Sequence, residues 1–337
     1  KIGLPLMVRP SYVLGGRAME IVHEKSQLKN FVKEAFKVAE KNPILIDKFI
    51  DNAMEVDVDA ISDGKNVFVA GIMQHIEEAG IHSGDSACSL PPVSIKPFLI
   101  KEIESQTKKL ALALKVKGFM NVQYAIKNDK IYVIEVNPRA SRTVPFVSKA
   151  KNLPLAKIAS RVMAGEKLTK FNLKSKTKDM FAVKEAVFPF NKFPNSDLLL
   201  GPEMKSTGEV MGFDKNFGMA FAKSQIAASN SLPKKGLAFI SLKNSHKKEG
   251  VELAKQLVKL NFKLCGTKGT ADYISQHGIF CKKINKVNQG SPHIVDVLNA
   301  KKIALVINTG GGNSEAQLSD AVALRRATLI NKVPYCT

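Results

Sequence analysis

The sequence lacks several features that mark specialised classes of protein. No apolar run approaches the roughly 20 residues that a membrane-spanning helix requires, and the first residues do not have the layout of a signal peptide. The four cysteines are far apart and form no CxxC pair, which argues against both a disulfide framework and a zinc site. These absences predict a cytoplasmic protein with reduced thiols and no membrane partner.

Acidic residues are also scarce relative to basic ones. The 337 residues include 51 lysines and arginines but 30 aspartates and glutamates, a net charge of +21. A nucleic-acid surface would gather its basic residues with interleaved aromatics, whereas these lysines are spread through helical segments and linkers. We therefore attribute the charge to a lysine-rich proteome and expect no nucleic-acid partner. Small anions such as ATP, bicarbonate and phosphate are the natural ligands of such a chain.

The first part of the chain combines patterned strands with irregular segments. Its opening residues run directly into an apolar strand, which indicates a fragment cut inside a domain. Residues 55–61 alternate acidic and apolar side chains, which predicts a strand with Glu55, Asp57 and Asp59 on one face. Residues 75–90 lack periodicity and predict a long loop, a common place for function.

The pattern changes in the last third of the chain, and the length allows more than one domain. From residue 236 onward, short apolar strands alternate with helices, which is typical of a parallel sheet covered by helices on both faces. The strands predicted there are Leu237–Leu242, Phe262–Cys265, Ile279–Cys281 and Ile303–Ile307. We therefore predict an α/β protein with a first domain at 1–166, a connecting segment at 167–235 and a second domain at 236–337.

A carboxylate and two amides are predicted to converge on one hairpin. Gln123 and Glu135 lie on two strands joined by a short turn, so their side chains can lie next to each other. Glu135 and Asn137 are two residues apart on one strand and share a face. Oxygen ligands of this kind are those that magnesium prefers, with nucleotide phosphates completing the octahedron. Arg139 and Arg142, just beyond, are placed to meet an anionic substrate or a phosphoryl group in transfer.

Four long runs of sequence point to a known family. They are VRPSYVLGGRAM at 8–19, EVDVDA at 55–60, GIHSGDSACSLP at 80–91 and IEVNPRASRTVPF at 134–146. A Glu-x-Asn-Pro alone is more often an ordinary edge-strand pattern, but runs of this length are specific. They resemble the ATP-grasp ligases, and within them the second synthetase half of the carbamoyl-phosphate synthetase large chain. The resemblance implies an α+β ATP-grasp portion followed by a doubly wound parallel-sheet domain like methylglyoxal synthase.

The resemblance also implies a role for individual residues of the first domain. Arg9 would contact the phosphates of ATP, and the Gly15-Gly16 loop would close over them, since glycine lets backbone amides approach closely. The full set implied for ATP binding is Arg9, Gly15, Gly16, Lys48, Ile50, Glu55, Gly80, Ile81, His82, Ser83, Gln123 and Glu135. The set implied for the metal, Mg²⁺ or Mn²⁺, is Gln123, Glu135 and Asn137, and the catalytic set is Asn137, Arg139 and Arg142. K⁺ is implied as a further cation.

The implied reaction is phosphorylation of carbamate by ATP, giving carbamoyl phosphate and ADP. In such a glutamine-hydrolysing synthetase of arginine and pyrimidine biosynthesis, a glutaminase small subunit is the partner and bicarbonate supplies the carbamate. The complete enzyme would be an oligomer of heterodimers. We expect the isolated chain to be inactive, because the first synthetase half and the glutaminase are missing. Two alternatives are another ATP-grasp ligase or carboxylase, and a nucleotide-binding regulator without catalysis.

The second domain carries a predicted phosphate site. Thr267, Lys268 and Thr270 stand where a strand meets a helix N-terminus, which is a phosphate cradle, although such a turn alone is more often a helix cap. The domain resembles the methylglyoxal-synthase-like allosteric domain of the synthetases, with a UMP-type pyrimidine monophosphate as effector. The implied residues are Thr267, Lys268, Thr270, Lys286, Asn308 and Thr309. Residues 310–313 depart from the family pattern.

A second effector, ornithine, is also implied by the resemblance. Its acidic residues would suit an amino-group cation, while solvated loop carboxylates are an equally weighted alternative. The implied residues are His75, Glu77, Asp85, Glu185, Tyr335 and Thr337. Pro334 and Cys336 differ from the family pattern.

Overall fold

The computed structural model describes residues 2–11, 18–39, 42–50, 53–174, 179–189, 200–230, 232–309 and 315–336. Gly15, Gly16 and Thr337, which the sequence predicts as binding residues, lie outside the described residues. The chain forms two compact units, Lys1–Phe188 with Leu200–Ala228 and Pro189–Leu199 with Ser229–Thr337. None of the helices in the described ranges combines the length and the apolar character needed to span a bilayer.

The first unit contains ten strands and five helices in the described ranges. The strands are β1 (Leu6–Pro10), β2 (Glu20–Val22), β3 (Ile44–Lys48), β4 (Met54–Asp63), β5 (Val67–Glu78), β6 (Cys88–Leu90), β7 (Lys117–Lys127), β8 (Lys130–Asn137), β9 (Phe181–Val187) and β10 (Gly208–Asp214). The helices are α1 (Lys25–Ala39), α2 (Pro97–Ala113), α3 (Val144–Lys151), α4 (Leu155–Met163) and α5 (Phe217–Ala227).

These strands form two antiparallel sheets. The small sheet has the order β2-β1-β3, and the large one has the order β10-β9-β6-β5-β4-β7-β8. Val147 of α3 and Leu155 of α4 belong to a core with Met73, while Leu99 and Ile103 of α2 pack with Val58 in another. The predicted connecting segment, 167–235, supplies β9, β10 and α5 to this unit.

The second unit is built on one parallel sheet. Its strands are β11 (Gly236–Ser241), β12 (Phe262–Gly266), β13 (Lys282–Lys283), β14 (Leu305–Asn308) and β15 (Tyr335–Cys336), in the order β13-β12-β11-β14-β15. Its helices are α6 (Lys247–Lys259), α7 (Lys268–Gln276), α8 (Ile294–Asn299) and α9 (Glu315–Ile330). Ile274 of α7 packs on one face with Ile240, and Leu324 of α9 packs on the other with Phe239. The predicted parallel sheet with helices on both faces is confirmed.

Two details of the predicted strands are wrong. The loop predicted at 75–90 is shorter, because β5 continues to Glu78 and β6 begins at Cys88. The C-terminal end of β5 does not show the apolar pattern of a strand, because His75 and Glu77 pack there into a buried polar network. The strand predicted at Ile279–Cys281 starts later, as Lys282–Lys283, since Cys281 fills the core without pairing with β12.

Candidate functional site

Polar residues of β4, β7 and β8 form two neighbouring rows on one face of the large sheet. In the first row, Asp57 lies opposite Gln123, and Gln123 lies opposite Glu135. The second row consists of Asp59, Asn121 and Asn137. Directly opposed residues and residues two apart along a strand share a face. The predicted pairing of the β7–β8 hairpin, with Gln123 beside Glu135, is therefore confirmed.

Gln123, Glu135 and Asn137, the members of the rows on β7 and β8 that were predicted to bind the metal, place side-chain oxygens next to each other. Asn137 Nδ2 donates to Glu135 Oε1 at 2.8 Å, and Gln123 Nε2 donates to Ser83 Oγ at 3.0 Å. Because both amides use their nitrogen as a donor, their carbonyl oxygens are the atoms with lone pairs for a cation. One carboxylate and two amide oxygens suit Mg²⁺. No cluster of three or more His, Cys, Asp or Glu residues suited to a metal occurs in the described ranges.

Asp57 and Asp59, the members of the rows on β4, lie on the acidic face of that strand, which is buried. Asp59 is 0% exposed and accepts hydrogen bonds from Asn121 Nδ2 at 3.0 Å, Ser141 Oγ at 2.7 Å and Thr143 Oγ1 at 2.6 Å. Ser141 and Thr143 belong to the segment between β8 and α3 that carries Arg142. The buried carboxylate therefore fixes this segment to the sheet.

His75 provides positive charge beside the acidic face. His75 Nε2 lies 3.2 Å from Asp57 Oδ2, and Nδ1 lies 3.8 Å from Glu55 Oε1. Burial lowers the pKa of His75, but the hydrogen bond to Asp57 and the charges of both carboxylates outweigh it and raise the pKa. Burial opposes the ionisation of Asp57, yet His75 and Asn121 bring its pKa below the ordinary value. We infer an ionised pair of Asp57 and His75 inside the sheet face.

Glu55 and Asp59 hold their protons more tightly than exposed carboxyls do. Burial raises the pKa of Glu55 to about 7, against a smaller opposing effect of His75. Burial also raises the pKa of Asp59 to about 6, although Thr143 and Ser141 donate hydrogen bonds to it. Both groups change charge near neutral pH, which differs from the behaviour of solvated carboxylates.

The variant Glu55→Gln is expected to alter the pH dependence of unfolding. Because the folded pKa of Glu55 is raised, its contribution to stability is fully present below about pH 4.5 and is lost as the pH rises through about 7. The native protein should therefore lose stability relative to Glu55→Gln across that window. Urea midpoints followed by far-UV circular dichroism from pH 4.5 to 8 would test this. The exposed Glu34→Gln should show no such trend, and a constant difference for Glu55→Gln would refute the burial argument.

A buried lysine fixes the loop between β5 and β6. Lys184 of β9 is 1% exposed, and its Nζ donates to the carbonyl of Ser83 at 3.1 Å and to that of Gly84 at 3.5 Å. Ser83 is thus held from two sides, since Gln123 donates to its hydroxyl. Sequence reasoning missed this residue. The signal was a pair of charged residues, Lys184 and Glu185, inside the short and otherwise apolar strand β9.

The structure brings four predicted ATP-binding residues together on this same loop: Gly80, Ile81, His82 and Ser83. A Cβ atom at Gly80 would lie 2.9 Å from the ring of Phe49, and the φ of Gly80 is +110°, so only glycine fits without strain. His82 Nδ1 accepts a hydrogen bond from the backbone N–H of Gly84 at 3.0 Å. Burial lowers the pKa of His82. The loop is therefore held close to the segment that follows β3.

The remaining predicted nucleotide residues of the first unit lie on or next to the small sheet. Arg9 Nη2 lies 2.6 Å from Asp47 Oδ2. Lys48 Nζ donates to the carbonyl of Leu4, and Ile50 follows β3 and is half-buried. Both basic groups are thus occupied by the protein itself, and their contact with phosphate or adenine stays a prediction.

Arg139 and Arg142 follow Asn137, the last residue of β8. Both are exposed. Arg139 Nη1 donates to the carbonyl of Ala140 at 3.1 Å, and Arg142 Nη1 lies 2.6 Å from Met204 Sδ. Within the described part of the chain neither guanidinium pairs with a carboxylate, so both positive charges are available to an anionic ligand.

The acidic residues predicted for ornithine are engaged in the first unit. Asp85 accepts hydrogen bonds from the backbone N–H groups of Lys205 at 2.8 Å and Ser206 at 2.9 Å. Glu77 accepts one from the backbone N–H of Ala87 at 2.7 Å. Burial, followed by the charge of Glu77, raises the pKa of Glu185 to about 7. These contacts explain the burial of the carboxylates, and their role towards an amino acid stays a prediction.

The second unit has a cavity of about 360 Å³ at the carboxyl ends of its strands. Four predicted residues line it: Thr267, Thr270, Lys286 and Asn308. Lys268 and Thr309 are not among its lining residues. Tyr335, predicted for ornithine, does not line the cavity itself. Its hydroxyl accepts a hydrogen bond from Asn308 Nδ2 at 3.0 Å. Lining residues that sequence reasoning missed include Ser241, Lys243, Lys247 and Asp320.

Thr270 also has a structural task in this cavity. Its Oγ1 accepts a hydrogen bond from the backbone N–H of Leu242 at 3.0 Å and lies 3.3 Å from Thr267 Oγ1. A Cβ atom at Gly269 would lie 3.5 Å from Lys247 Nζ. An ammonium group, hydroxyls and the N-terminus of α7 therefore meet at one end of the cavity, which suits a phosphate group.

Comparison with known families gives two matches along the chain. Residues 1–171 match the model described as carbamoyl-phosphate synthase L chain, ATP binding domain. Residues 249–337 match the model of the MGS-like domain. The two matches fall in the first and the second unit respectively.

Individual relatives agree with these matches. The carbamoyl phosphate synthase large chain, C-terminal section, of Aquifex aeolicus is 50% identical and is aligned over 100% of this chain and 66% of its own length. The large chain of Methanobrevibacter smithii is 54% identical over 100% of this chain and 32% of its own length. The chain thus spans about a third of that relative. A solved structure, the L-amino acid ligase of Bacillus licheniformis, matches with a TM-score of 0.50 at 15% identity, covering 68% of this chain and 63% of the ligase, and indicates the fold alone.

Proposed function

The chain belongs to the family of carbamoyl phosphate synthase large chains, and we propose that it supplies the lower half of the site at which ATP phosphorylates carbamate. The observation that carries the proposal is the row of Gln123 and Glu135 beside Asn137, followed in the chain by Arg139 and Arg142, which pair with no carboxylate of the described residues. This arrangement presents oxygen ligands and positive charge on one side of one sheet. Phosphoryl transfer depends mainly on positioning and charge neutralisation.

Different residues of the site bind the metal and the substrate. Glu135, Gln123 and Asn137 would hold Mg²⁺, which would supply positive charge that neutralises the phosphates. Arg139 and Arg142 draw the carbamate anion and the transferred phosphoryl group towards the same edge. Asp59 keeps the segment of the two arginines in place through Ser141 and Thr143. Lys184 and Gln123 hold the loop at Ser83, which is predicted to line the nucleotide.

Further features of the activity are carried over from the family resemblance. The carbamate is formed from bicarbonate, the nitrogen comes from glutamine through a glutaminase small subunit, and the product enters arginine and pyrimidine biosynthesis. Mn²⁺ can replace Mg²⁺, and K⁺ is a further cation. The isolated chain is inactive, the complete enzyme is an oligomer of heterodimers in the cytoplasm, and ornithine is a second effector. The first domain extends over 1–166 and the second over 236–337, with 167–235 as the connecting end segment of the ATP-grasp portion.

The second unit regulates this activity by binding a nucleoside monophosphate such as UMP. The support is the cavity of about 360 Å³, a size that fits a small ligand, lined by three lysines and by hydroxyls at the N-terminus of α7. Lysines and helix N-termini favour an anion. The predicted residues Thr267, Thr270 and Asn308 lie around the same space.

The variant Lys286→Gln is expected to weaken UMP binding by about 10- to 100-fold. It removes one charge-assisted contact to the phosphate, worth roughly 1.5–3 kcal/mol. Isothermal titration calorimetry of this chain with UMP would measure the change. Lys263→Gln, which removes the same charge from an exposed position of β12 outside the cavity, should bind UMP normally. Equal affinities of both variants would exclude Lys286 from the nucleotide site.

A further inference from the structure

Residues 201–206, which precede β10, form a strap across the loop between β5 and β6. The backbone N–H of His82 donates to the carbonyl of Gly201 at 2.8 Å. The backbone N–H of Ser206 donates to Asp85 Oδ1 at 2.9 Å. Both ends of the strap are therefore fixed to the loop that is predicted to line the nucleotide.

Met204, in the middle of the strap, reaches from this loop to Arg142. Its Sδ atom lies 2.6 Å from Arg142 Nη1. A Cβ atom at Gly84 would lie 3.1 Å from the same sulfur, which is closer than ordinary van der Waals contact. Glycine at this position therefore leaves room for the thioether, which contacts both the loop and the guanidinium.

The two arginines after β8 differ in how they are held. Arg139 Nη1 donates to the carbonyl of its neighbour Ala140, whereas Arg142 contacts a segment 62 residues further along the chain. An arginine side chain has large rotamer freedom and loses it when it binds an anion. A distant contact that restricts the guanidinium in advance lowers this cost. Arg142 is thus the better pre-organised of the two.

The chemistry of Met204 leaves the charge of Arg142 free. A thioether sulfur is an uncharged, weak acceptor, so it orients the guanidinium without neutralising it. A carboxylate at the same place would form an ion pair and compete with an anionic substrate. The charge of Arg142 also acts on the loop: burial lowers the pKa of His82, Asp85 opposes this effect, and Arg142 adds to it. The guanidinium therefore lies close to the nucleotide loop and keeps its charge.

We propose that Met204 is a positioning residue of the phosphoryl-transfer site, which orients Arg142 towards the anionic substrate and leaves its charge intact. The inference rests on the proposed role of Arg142 in substrate binding and adds the side chain through which that role is exerted. Because the strap is hydrogen-bonded to the loop, it also holds the nucleotide loop and the arginine in one arrangement. Carbamate and carbamoyl phosphate are anions of the class that a guanidinium binds.

The test is steady-state kinetics of ATP formation from ADP and carbamoyl phosphate by a complete large chain that carries this sequence. Met204→Ala removes the contact and should raise the KM for carbamoyl phosphate about tenfold, because Arg142 then loses its rotamer freedom only on binding. The KM for ADP should change by less than about twofold. A substitution that merely loosened the strap would raise both values, since the strap also holds the nucleotide loop.

Two variants of equal size separate orientation from charge. Met204→Gln keeps the length and offers an uncharged carbonyl oxygen, so its KM for carbamoyl phosphate should stay near the native value. Met204→Glu offers a carboxylate that pairs with Arg142, and it should raise this KM by about 10- to 100-fold. This comparison remains valid if truncation to alanine destabilises the first unit. Met219→Ala, which truncates an exposed methionine of α5, should behave as the native enzyme.

A double-mutant cycle shows whether Met204 acts through Arg142. In an Arg142→Ala background, Met204→Ala should have no further effect on the KM for carbamoyl phosphate. The inference would be overturned by an equal effect in both backgrounds, by no effect in the native background, or by a loss in Met204→Gln as large as that in Met204→Ala. If Arg142→Ala itself left this KM unchanged, the proposed role of Arg142 would fail, and the inference with it.

Discussion

Replacing Glu135 by glutamine is expected to lower ATP-dependent carbamoyl phosphate formation about a thousandfold in a complete large chain that carries this sequence. Glu135 is the one carboxylate among the three predicted ligands, and it shares a hydrogen bond with Asn137. A bound metal contributes several kcal/mol of charge stabilisation to the transition state, and about 1.4 kcal/mol corresponds to a factor of ten in rate. Glutamine preserves the size and the hydrogen-bonding carbonyl, so the loss of rate measures the contribution of the negative charge.

A matched variant separates this effect from a general loss of charge. Glu104→Gln removes a carboxylate from the exposed ion pair with Lys108 on α2, and surface pairs of this kind contribute little. Its rate should equal that of the native enzyme. If Glu135→Gln retained the native rate while remaining folded, the metal assignment on β8 would be wrong.

Replacing Asp59 by alanine should destabilise the first unit by about 3–5 kcal/mol, because each buried donor that loses its acceptor costs about 1–3 kcal/mol. The substitution leaves the donors of Asn121, Ser141 and Thr143 without their shared acceptor in a region closed to water. It also leaves a cavity where the carboxylate was. The effect is larger than that of most substitutions, because three hydrogen bonds converge on one side chain.

The chain contains no tryptophan, so fluorescence gives no simple reading of the first unit. Hydrogen–deuterium exchange of peptides from β4 and β7, measured against urea concentration, would report its opening free energy directly. Asp59→Asn should destabilise the first unit less than Asp59→Ala, since asparagine retains an acceptor for Ser141 or Thr143. An exposed control, Asp129→Asn, removes the charge of the surface pair with Lys96, keeps a residue that tolerates the positive φ of the turn, and should change little. A small effect of Asp59→Ala would show that the network is not needed for stability.

The parts of the fold that could be predicted are those with a local signal. The hairpin of β7 and β8 follows from apolar runs around a turn at Asn128-Asp129, and both turn residues have positive φ, as such turns require. The alternation in β4 correctly placed three carboxylates on one face. The parallel sheet of the second unit follows from apolar strands alternating with helices.

The parts that could not be predicted depend on contacts between distant segments. Lys184 reaches Ser83 across about a hundred residues because β9 pairs with β6, and that pairing has no trace in the sequence pattern. The end of β5 looked like a loop because His75 is polar, although its Nε2 pairs with Asp57 inside the sheet. Lys247 and Asp320 come to one cavity only through the topology of the parallel sheet. In each case a polar residue gains its partner from elsewhere in the chain.

The measurement that tests the central claim most directly is the formation of ATP from ADP and carbamoyl phosphate by a complete large chain that carries this sequence. This assay reverses only the phosphoryl transfer step, so it needs neither glutamine nor bicarbonate. The account predicts ATP formation that requires a divalent metal and is lost in Glu135→Gln. A folded protein that binds ADP and yet forms no ATP would contradict the claim and would indicate a nucleotide-binding regulator.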